Sequence, residues 1–409
     1  MNELMEKYAR VLLTSCLKVK EGQPLFISAN MERIDFVRVV ANIAYELGVK
    51  DIYFDLSDAY IKHDLLKELS LEELKNNQYW NKQKWNEYAK KRAAFLMLAS
   101  ETPGLMKDID QKKLSDITMY AFKTRTEFDE LRSKGMIPWC IAAVPTLKWA
   151  EEVFPNSKTP LEDLWNKIFE ICSITEKDPI RIWNEKTKKL DERSKKLTSY
   201  QFKTLKYKNS LGTDFEIDLP EHHIWESGRE TLVNGDDYLA NYPTEEVFTS
   251  PDCLSANGIV YASKPLSYQD NLIKNFWIKF QNGIAIECGA EEGLETLQGI
   301  IDSCENSNRL GEVALVEYDS EISKSNLIYY ETLFDENAAC HLALGESFPE
   351  CVEGGRNMSD EERKKVHLNK CKNHVDFMIG TKDLTITGIT KDNKEITIFE
   401  NGNFSSNFK

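Results

Sequence analysis

Residues 25–55 read LFISANMERIDFVRVVANIAYELGVKDIYFD and contain the pattern that decides the fold of the first half of the chain. Residues 25–28 are a short apolar run typical of a buried strand. Residues 34–47 repeat apolar side chains with the spacing of an amphipathic helix, which ends at Gly48. Residues 51–55 are a second apolar run. A strand, a helix and a strand within about 30 residues predict a βαβ crossover, and therefore parallel strands.

The rest of the first half repeats this alternation of helices and strands. Residues 1–20 have the apolar spacing of a helix, and the apolar runs at residues 94–98 and 137–142 are typical of further strands. Residues 28–32 (SANME) follow the first predicted strand, where a dinucleotide-binding turn would need its glycine triad. We therefore expect an α/β domain with a parallel sheet over residues 1–195, which acts as a scaffold and not as a cofactor domain.

The second half of the chain has a different pattern, which begins after a charged helical segment at residues 180–196. Residues 202–207 and 215–219 alternate apolar and polar side chains on either side of a turn, which predicts a hairpin. Three more short strands are expected at residues 376–379, 384–389 and 395–399. We predict that residues 196–409 form a largely antiparallel β (α+β) domain with a few inserted helices.

Composition limits the classes of function. The 409 residues are enough for two domains, and the hydrophobic fraction of 41% is enough for packed cores. A net charge of -15 argues against nucleic-acid binding, because phosphates would repel the protein. The acidic N-terminus has no apolar signal region, and no stretch approaches the ~20 apolar residues of a membrane span. Nine scattered cysteines without a C-x-x-C pair are typical of reduced thiols. We expect a cytoplasmic protein that binds neither nucleic acid nor membrane.

The scarce imidazoles and several carboxylates stand in mixed contexts in the second half. His374 and Asp376 are two positions apart at the start of a predicted strand, so their side chains leave the same face. A surface histidine followed by a turn-capping aspartate is the alternative interpretation, although the apolar residues 377–379 draw the strand into the interior. His341 lies in an apolar run, and it is either a core residue or a metal ligand. Glu336 is a helix-capping acid or a ligand.

Three further carboxylates, Glu245, Glu246 and Glu312, are candidates for binding a cation. Glu245 and Glu246 are adjacent, and neighbouring negative charges repel unless a cation offsets them. The plainer interpretation is an acidic first helical turn after Pro243. Glu312 lies in an apolar, strand-like run, where a buried carboxylate needs a partner such as a metal ion. Imidazole and carboxylate together hold divalent ions in hydrolases, so the conjunction favours a metal site.

Motifs along most of the chain carry a family resemblance. They are LKVKEGQPL (17–25), PTLKWA (145–150), GTD (212–214), NYPTEEVFT (241–249), HLALG (341–345) and DFMIG (376–380). With these motifs in this order, the chain resembles the aminopeptidase T and aminopeptidase S family, the thermophilic-type metalloaminopeptidases. The resemblance implies a two-domain enzyme, commonly a homodimer, that removes single N-terminal residues from peptides.

The resemblance also implies a site that holds two divalent ions, whether zinc, cobalt, manganese or magnesium. Its implied ligands are Glu246, Glu312, His341, His374 and Asp376. Glu312 would bridge the ions, and Glu336 would be a further ligand. Two-ion chemistry activates water for attack on a carbonyl. Glu245 or Glu336 would then take the proton of that water and pass it to the leaving amine.

One position departs from the family pattern. The family places a tyrosine seven residues after the first histidine, whereas this chain has Phe348 there. A phenyl ring can neither donate a hydrogen bond nor bind a metal. Phe348 therefore keeps open a metal-binding homologue with weakened catalysis. A separate alternative is another metal-dependent hydrolase acting on phosphoesters or amides, which would share the same ligands.

Overall fold

A computed structural model of the chain describes residues 1–77, 79–269 and 271–408. The α-helices are α1 (Asn2–Val11), α2 (Ile34–Glu46), α3 (Ala59–Glu68), α4 (Leu71–Asn77), α5 (Tyr79–Lys90), α6 (Gln111–Thr124), α7 (Thr126–Ser133), α8 (Leu147–Val153), α9 (Pro160–Ile171), α10 (Pro179–Tyr200), α11 (Leu294–Ile301), α12 (Glu321–Ser325), α13 (Thr332–Asp335) and α14 (Asp360–Lys365).

Many short strands accompany these helices. They are β1 (Leu25–Asn30), β2 (Ile52–Ser57), β3 (Ala94–Ala99), β4 (Trp139–Ala143), β5 (Thr204–Lys208), β6 (Asp214–Asp218), β7 (Glu226–Ser227), β8 (Arg229–Thr231), β9 (Asp237–Leu239), β10 (Asn241–Tyr242), β11 (Val247–Thr249), β12 (Asn257–Tyr261), β13 (Leu266–Tyr268), β14 (Asn271–Ile273), β15 (Trp277–Gln281), β16 (Ile284–Gly289), β17 (Leu310–Leu315), β18 (His341–Gly345), β19 (His374–Met378), β20 (Thr385–Ile389), β21 (Glu395–Glu400) and β22 (Asn403–Phe404).

The chain divides into two compact units whose limits differ from a single cut in the sequence. One unit comprises residues 1–184 and 229–243, and the other comprises residues 185–228 and 244–409. The sequence placed one boundary between residues 195 and 196, which lies inside α10. The return of residues 229–243 to the first unit has a physical reason: β10 pairs in parallel with β4. Sequence periodicity does not reveal so distant a pairing.

The first unit contains a parallel sheet with the strand order β10-β4-β3-β1-β2. The predicted βαβ crossover is confirmed, because β1 and β2 pair in parallel and α2 lies between them in the chain. Apolar runs make these strands, since both faces of a parallel sheet are covered. Phe26 and Phe95 on neighbouring strands pack with Trp85 and Phe128 in an aromatic cluster.

The second unit contains two antiparallel sheets. The larger has eight strands in the order β16-β15-β12-β6-β5-β20-β21-β22, and it includes the predicted hairpin as β5 and β6. The smaller has the order β19-β18-β17-β11-β7. The strand expected at 376–379 is β19 and joins this smaller sheet. The expected fold class is confirmed: a parallel α/β part precedes a largely antiparallel β part.

One face of the smaller sheet belongs to the main apolar core of the second unit. Val313 and Leu315 on β17, Leu342 and Leu344 on β18 and Phe377 on β19 are all in this core. Because successive side chains of a strand point to opposite faces, the residues between these positions lie on the other face.

Among the described residues, no helix has the length and apolar character that a bilayer requires.

A bulge at Gly311 changes which side chains of β17 face the core and which face the opposite side of the smaller sheet. Leu310 pairs with Leu344 while Glu312 pairs with Ala343, so Gly311 is one extra residue on β17. The bulge allows Leu310 to be fully buried in the core although it is two positions from Glu312. A Cβ atom on Gly311 would lie 2.2 Å from the backbone oxygen of Glu346. Glycine is therefore required there by space.

We expect Gly311→Ala to lower the free energy of unfolding by about 1–3 kcal/mol, because the methyl group must displace the backbone beside it. Chemical denaturation of the purified variant measures this change. Gly299→Ala is the matched control: Gly299 lies in α11, and a Cβ there meets nothing within 4 Å. That control should gain up to about 1 kcal/mol. Equal stability of the Gly311 variant and the unmodified chain would contradict the steric role of the glycine.

Candidate metal centre

The face of the smaller sheet opposite the core carries the polar groups. Glu312 on β17 is level with Ala343 on β18, and Ala343 is level with Asp376 on β19. Cross-strand partners point to the same face, so the two carboxylates flank a small methyl group. His341 is two positions before Ala343, and His374 is two before Asp376. Strand alternation therefore brings four of the predicted residues to one surface.

These residues form two groups that share one member. Ligand-type atoms of Glu246, Glu312 and His341 all lie within 4.8 Å of one another, and so do those of Glu312, His374 and Asp376. Glu246 immediately precedes β11, and β11 lies next to β17 in the sheet. Five predicted ligands from four parts of the chain thus lie together, with Glu312 common to both groups.

Both histidines present the same ring nitrogen to the carboxylates. The Nε2 atom of His374 lies 3.1 Å from Glu312 Oε2 and 3.2 Å from Asp376 Oδ1. The Nε2 atom of His341 lies 3.4 Å from Glu246 Oε2. Each Nδ1 atom instead faces a backbone oxygen, that of Glu346 at 2.9 Å for His374 and that of Ala339 at 3.3 Å for His341.

This arrangement orients both histidine rings in a way that suits metal binding through Nε2. A backbone carbonyl accepts a hydrogen bond from Nδ1–H, so Nε2 faces the carboxylates and can bind a metal ion once it has lost its own proton. Metal-binding histidines in proteins are commonly oriented by such a second hydrogen bond. The tautomers follow from this network, since hydrogen positions are assigned from partners.

Burial makes the cluster of acids costly without a cation. Glu246 and Glu312 are 7% and 4% exposed, and His341 is 1% exposed. Burial raises the pKa of Glu312 to about 7, and the charge of Asp376 acts in the same direction. Burial acts to lower the pKa of His341, but Glu246, Glu312 and Asp376 outweigh it and raise that pKa to about 10. The cluster therefore binds protons strongly where it could bind a divalent ion.

The side-chain chemistry fits divalent ions. Carboxylate oxygens and imidazole nitrogens are the donors used for zinc, cobalt and manganese. The buried Oδ1 atom of Asp376 has no well-aligned hydrogen bond from the described residues, although the Nε2 atom of His374 lies 3.2 Å from it. Burial acts to raise the pKa of Asp376, but the positive charge of His374 outweighs it and lowers that pKa to about 2. A buried, ionised oxygen of this kind is a good ligand for a cation.

Glu336 lies beside the two groups but belongs to neither of them. It begins a short 3₁₀ helix, Glu336–Ala338. Burial raises the pKa of Glu336 well above its usual range, and the charges of Glu246 and Asp376 act in the same direction. A carboxyl group that holds its proton this firmly can exchange it with a bound water or amine.

Glu245, the other expected proton carrier, has a different environment. Its carboxylate forms an ion pair with Lys186, with Oε1 and Nζ 2.9 Å apart. Its backbone N–H donates to the side-chain oxygen of Asn337 at 2.7 Å. Asn337 is fully buried and also donates to the backbone oxygen of Leu333. The amide of Asn337 thus joins the segment that carries Glu246 to the segment that carries Glu336.

A cavity of about 140 Å³ opens beside the second group. Its lining residues come from β13, from α13 with the residues on either side of it, and from β19. They include the candidate site residues Glu336, His374 and Asp376. Tyr268 supplies an aromatic wall and Glu331 a further carboxylate. Among the described lining residues none is lysine or arginine, so the cavity suits a cationic or neutral group.

Phe348 also contacts this centre. Its ring centroid lies 4.9 Å from that of His374 and 5.3 Å from that of Phe248. The ring packs on a candidate ligand and supplies no polar atom. The departure from the family tyrosine is therefore located at the metal centre itself.

Comparisons with known proteins identify the family. The model of the thermophilic metalloprotease family (M29) matches residues 1–404. The chain belongs to this metalloprotease family. Aminopeptidase 2 of Geobacillus stearothermophilus is 37% identical over 403 residues, 98% of this chain and 97% of that protein. Aminopeptidase AmpS of Bacillus subtilis (strain 168) is 37% identical over 409 residues, 99% of each chain. Wild-type AmpT from Thermus thermophilus has a similar structure, with a TM-score of 0.91, 30% identity and 98% coverage of both chains.

The M29 assignment confirms the resemblance read from the sequence motifs. It confirms the expected class of enzyme, a metallo-aminopeptidase, at the level of the family, and divalent metal ions as its cofactors. Sequence reasoning missed the bulge at Gly311, the buried amide of Asn337 and the cavity wall at Tyr268. Only Asn337 had any signal, because it follows Glu336 directly; the other two depend on pairing and on packing.

Metal binding by the candidate centre should strengthen as pH rises. Glu312 has a pKa of about 7 and His341 one of about 10 without metal, so both must lose protons before they bind an ion. We expect the affinity for Zn²⁺ to increase between pH 6 and pH 8, with fewer protons released at the higher pH. Calorimetric titration in two buffers of different ionisation enthalpy measures both quantities. An affinity that is constant or falls over this range would contradict the assignment of these ligands.

Proposed function

We propose that this chain is an aminopeptidase that releases single N-terminal residues from peptides with the help of two divalent ions. The observation that carries the proposal is that Glu312 belongs to both groups of candidate ligands. A carboxylate has two oxygens and can serve two ions at once. Glu246 and His341 would complete one ion's protein ligands, and His374 and Asp376 would complete the other's.

The ions, when bound, lower the pKa of water and polarise a carbonyl oxygen of the substrate. The side chains of the protein have separate tasks. Glu312 is positioned by its place on β17, level with Ala343, and stays ionised once a cation is present. The backbone oxygens of Glu346 and Ala339 hold His374 and His341 in the required orientation.

We assign the proton transfer to Glu336 in preference to Glu245. Glu336 lines the cavity together with His374 and Asp376, which supports a role in taking a proton from bound water and returning it to the leaving amine. The carboxylate of Glu245 is held by Lys186. Glu245 then supports the adjacent ligand Glu246 through the backbone.

The acidic cavity supports recognition of a free N-terminus. Glu331, Asp335 and Glu336 line it together with the ligand Asp376. A protonated α-amine is attracted by carboxylates, whereas a phosphoester site would be expected to add basic side chains beside the ions, and the described cavity lining contains none. This charge favours peptides over the phosphoester alternative. Phe348 is the observation that favours the third possibility, a homologue with weakened catalysis, because its ring lacks the hydroxyl of the family tyrosine.

Two further expectations stay predictions. The homodimer is inferred from family resemblance, and the cytoplasmic location from the scattered, unpaired pattern of the cysteines in the sequence. Peptides are the substrate class that the family implies. The identity of the ions, whether zinc, cobalt, manganese or magnesium, depends on availability as well as on ligand chemistry.

Replacement of the shared ligand tests the proposal. We expect Glu312→Gln to reduce kcat/KM for leucine p-nitroanilide at least about 100-fold, because an amide cannot hold a divalent ion as a carboxylate does. Metal content by mass spectrometry should fall as well. EDTA should abolish the activity of the unmodified enzyme, and Co²⁺, Zn²⁺ or Mn²⁺ should restore it. Glu287→Gln is the control, since Glu287 is an exposed strand carboxylate. Activity that survives exhaustive chelation would refute the metal mechanism.

A second pair of variants tests the assignment of the proton carrier. Glu336→Gln should lower kcat about 10²–10⁴-fold with metal content retained, because an amide cannot take up the proton. Glu245→Gln should retain kcat within a few-fold. Steady-state kinetics with the same substrate and metal analysis of both variants make the comparison. The opposite ranking of the two variants would transfer the role to Glu245.

A further inference from the structure

Two half-buried cysteines meet outside the metal centre. Cys304 lies between α11 and β17, and Cys371 lies just before β19. Their sulfur atoms are 3.1 Å apart although the residues are 67 positions apart in the chain. Cys16 and Cys140 also interact, but both are fully buried. Cys304 and Cys371 therefore form a thiol pair that a dissolved reagent can reach.

The two loops around this pair are already joined by hydrogen bonds. Asn373 donates to the hydroxyl of Ser303 at 3.2 Å, and Asn306 donates to the backbone oxygen of Lys370 at 3.1 Å. These bonds lie on both sides of the sulfur atoms. A disulfide has an S–S length of about 2.05 Å, so the sulfurs must approach by roughly 1 Å. Both cysteines lie outside helices and strands, where such a small shift is tolerated.

The thiols are chemically unequal. Burial acts to raise the pKa of Cys304, but hydrogen bonds from the Cys371 thiol and from the Lys372 backbone outweigh it and lower that pKa. Burial raises the pKa of Cys371 to about 11. The thiolate is the reactive form of cysteine, so Cys304 is the sulfur that attacks first.

We propose that Cys304 and Cys371 are a site of reversible disulfide formation in the folded protein, with a low-molecular-weight disulfide such as oxidised glutathione as the oxidant. The Cys304 thiolate attacks one sulfur of oxidised glutathione, forms a mixed disulfide and expels one glutathione thiolate. The Cys371 thiolate then attacks the sulfur of Cys304 and expels the second glutathione. Two protein thiols are oxidised, and one oxidised glutathione is reduced to two thiols.

The bond would tie together the loops that lead into β17 and β19. These strands carry Glu312, His374 and Asp376. A cross-link between residues this far apart in the chain restricts the unfolded state and so stabilises the folded one. The proposal does not depend on the peptidase mechanism, because formation of the bond and its effect on stability are measured without substrate.

Peptide mapping of the native protein tests the proposal. The full-length protein is incubated with oxidised glutathione without denaturant, blocked with iodoacetamide, digested and analysed by mass spectrometry. We expect a peptide pair linked through Cys304 and Cys371, and a fall in free thiols from nine to seven. The melting temperature should rise by about 5 °C. Dithiothreitol should reverse both changes.

Single variants separate the two steps. Cys371→Ser should accumulate glutathione on Cys304, since no second thiol can release it, whereas Cys304→Ser should react little. Cys288→Ser is the matched control, because Cys288 is also half-buried, and it should form the cross-link as the unmodified chain does. Glutathione on the two cysteines without a cross-link in the unmodified chain would overturn the proposal. A cross-link that forms only in denaturant, or that lowers the melting temperature, would overturn it as well.

Discussion

Ionised carboxyl groups packed together in a protein interior repel one another and lose hydration, and this cost dominates the second unit. Glu246, Glu312, Asp376 and Glu336 lie around two histidines. Without metal, protons compensate: the pKa of Glu312 rises to about 7 and that of His341 to about 10. Two divalent ions would replace these protons and supply the positive charge that the side chains lack. The rest of the sheet must hold the acids together until then.

The smaller sheet meets this requirement through its two faces. Its core face is apolar and buried, and the burial of Leu342, Leu344 and Phe377 stabilises the unit enough to support an unfavourable polar face. The bulge at Gly311 lets one strand contribute to both faces, because it directs Leu310 into the core and Glu312 to the polar side. The position of Glu312 in the candidate site therefore depends on a backbone irregularity.

Sequence patterns predicted much of this arrangement correctly. The βαβ crossover followed from apolar periodicity, and the shared face of His374 and Asp376 followed from strand alternation. The candidate ligand set came from motif resemblance, because isolated acids and histidines each had an ordinary explanation, and it stays a prediction. The choice between Glu245 and Glu336 was open in the sequence, since neither position reveals its neighbours. The ion pair between Glu245 and Lys186 is the reason that we propose Glu336 as the proton carrier.

The sequence by itself determined the local structure, the polar character of alternate strand positions and the family of metalloproteases. The first two depend on neighbours along the chain, within one turn or one strand, whereas the family was recognised from motifs spread along most of the chain. Tertiary structure decided which distant segments meet where no motif indicated it: β10 with β4, Glu245 with Lys186, and Cys304 with Cys371. Such contacts depend on strand pairing and side-chain packing between residues far apart in the chain, and no local pattern records them.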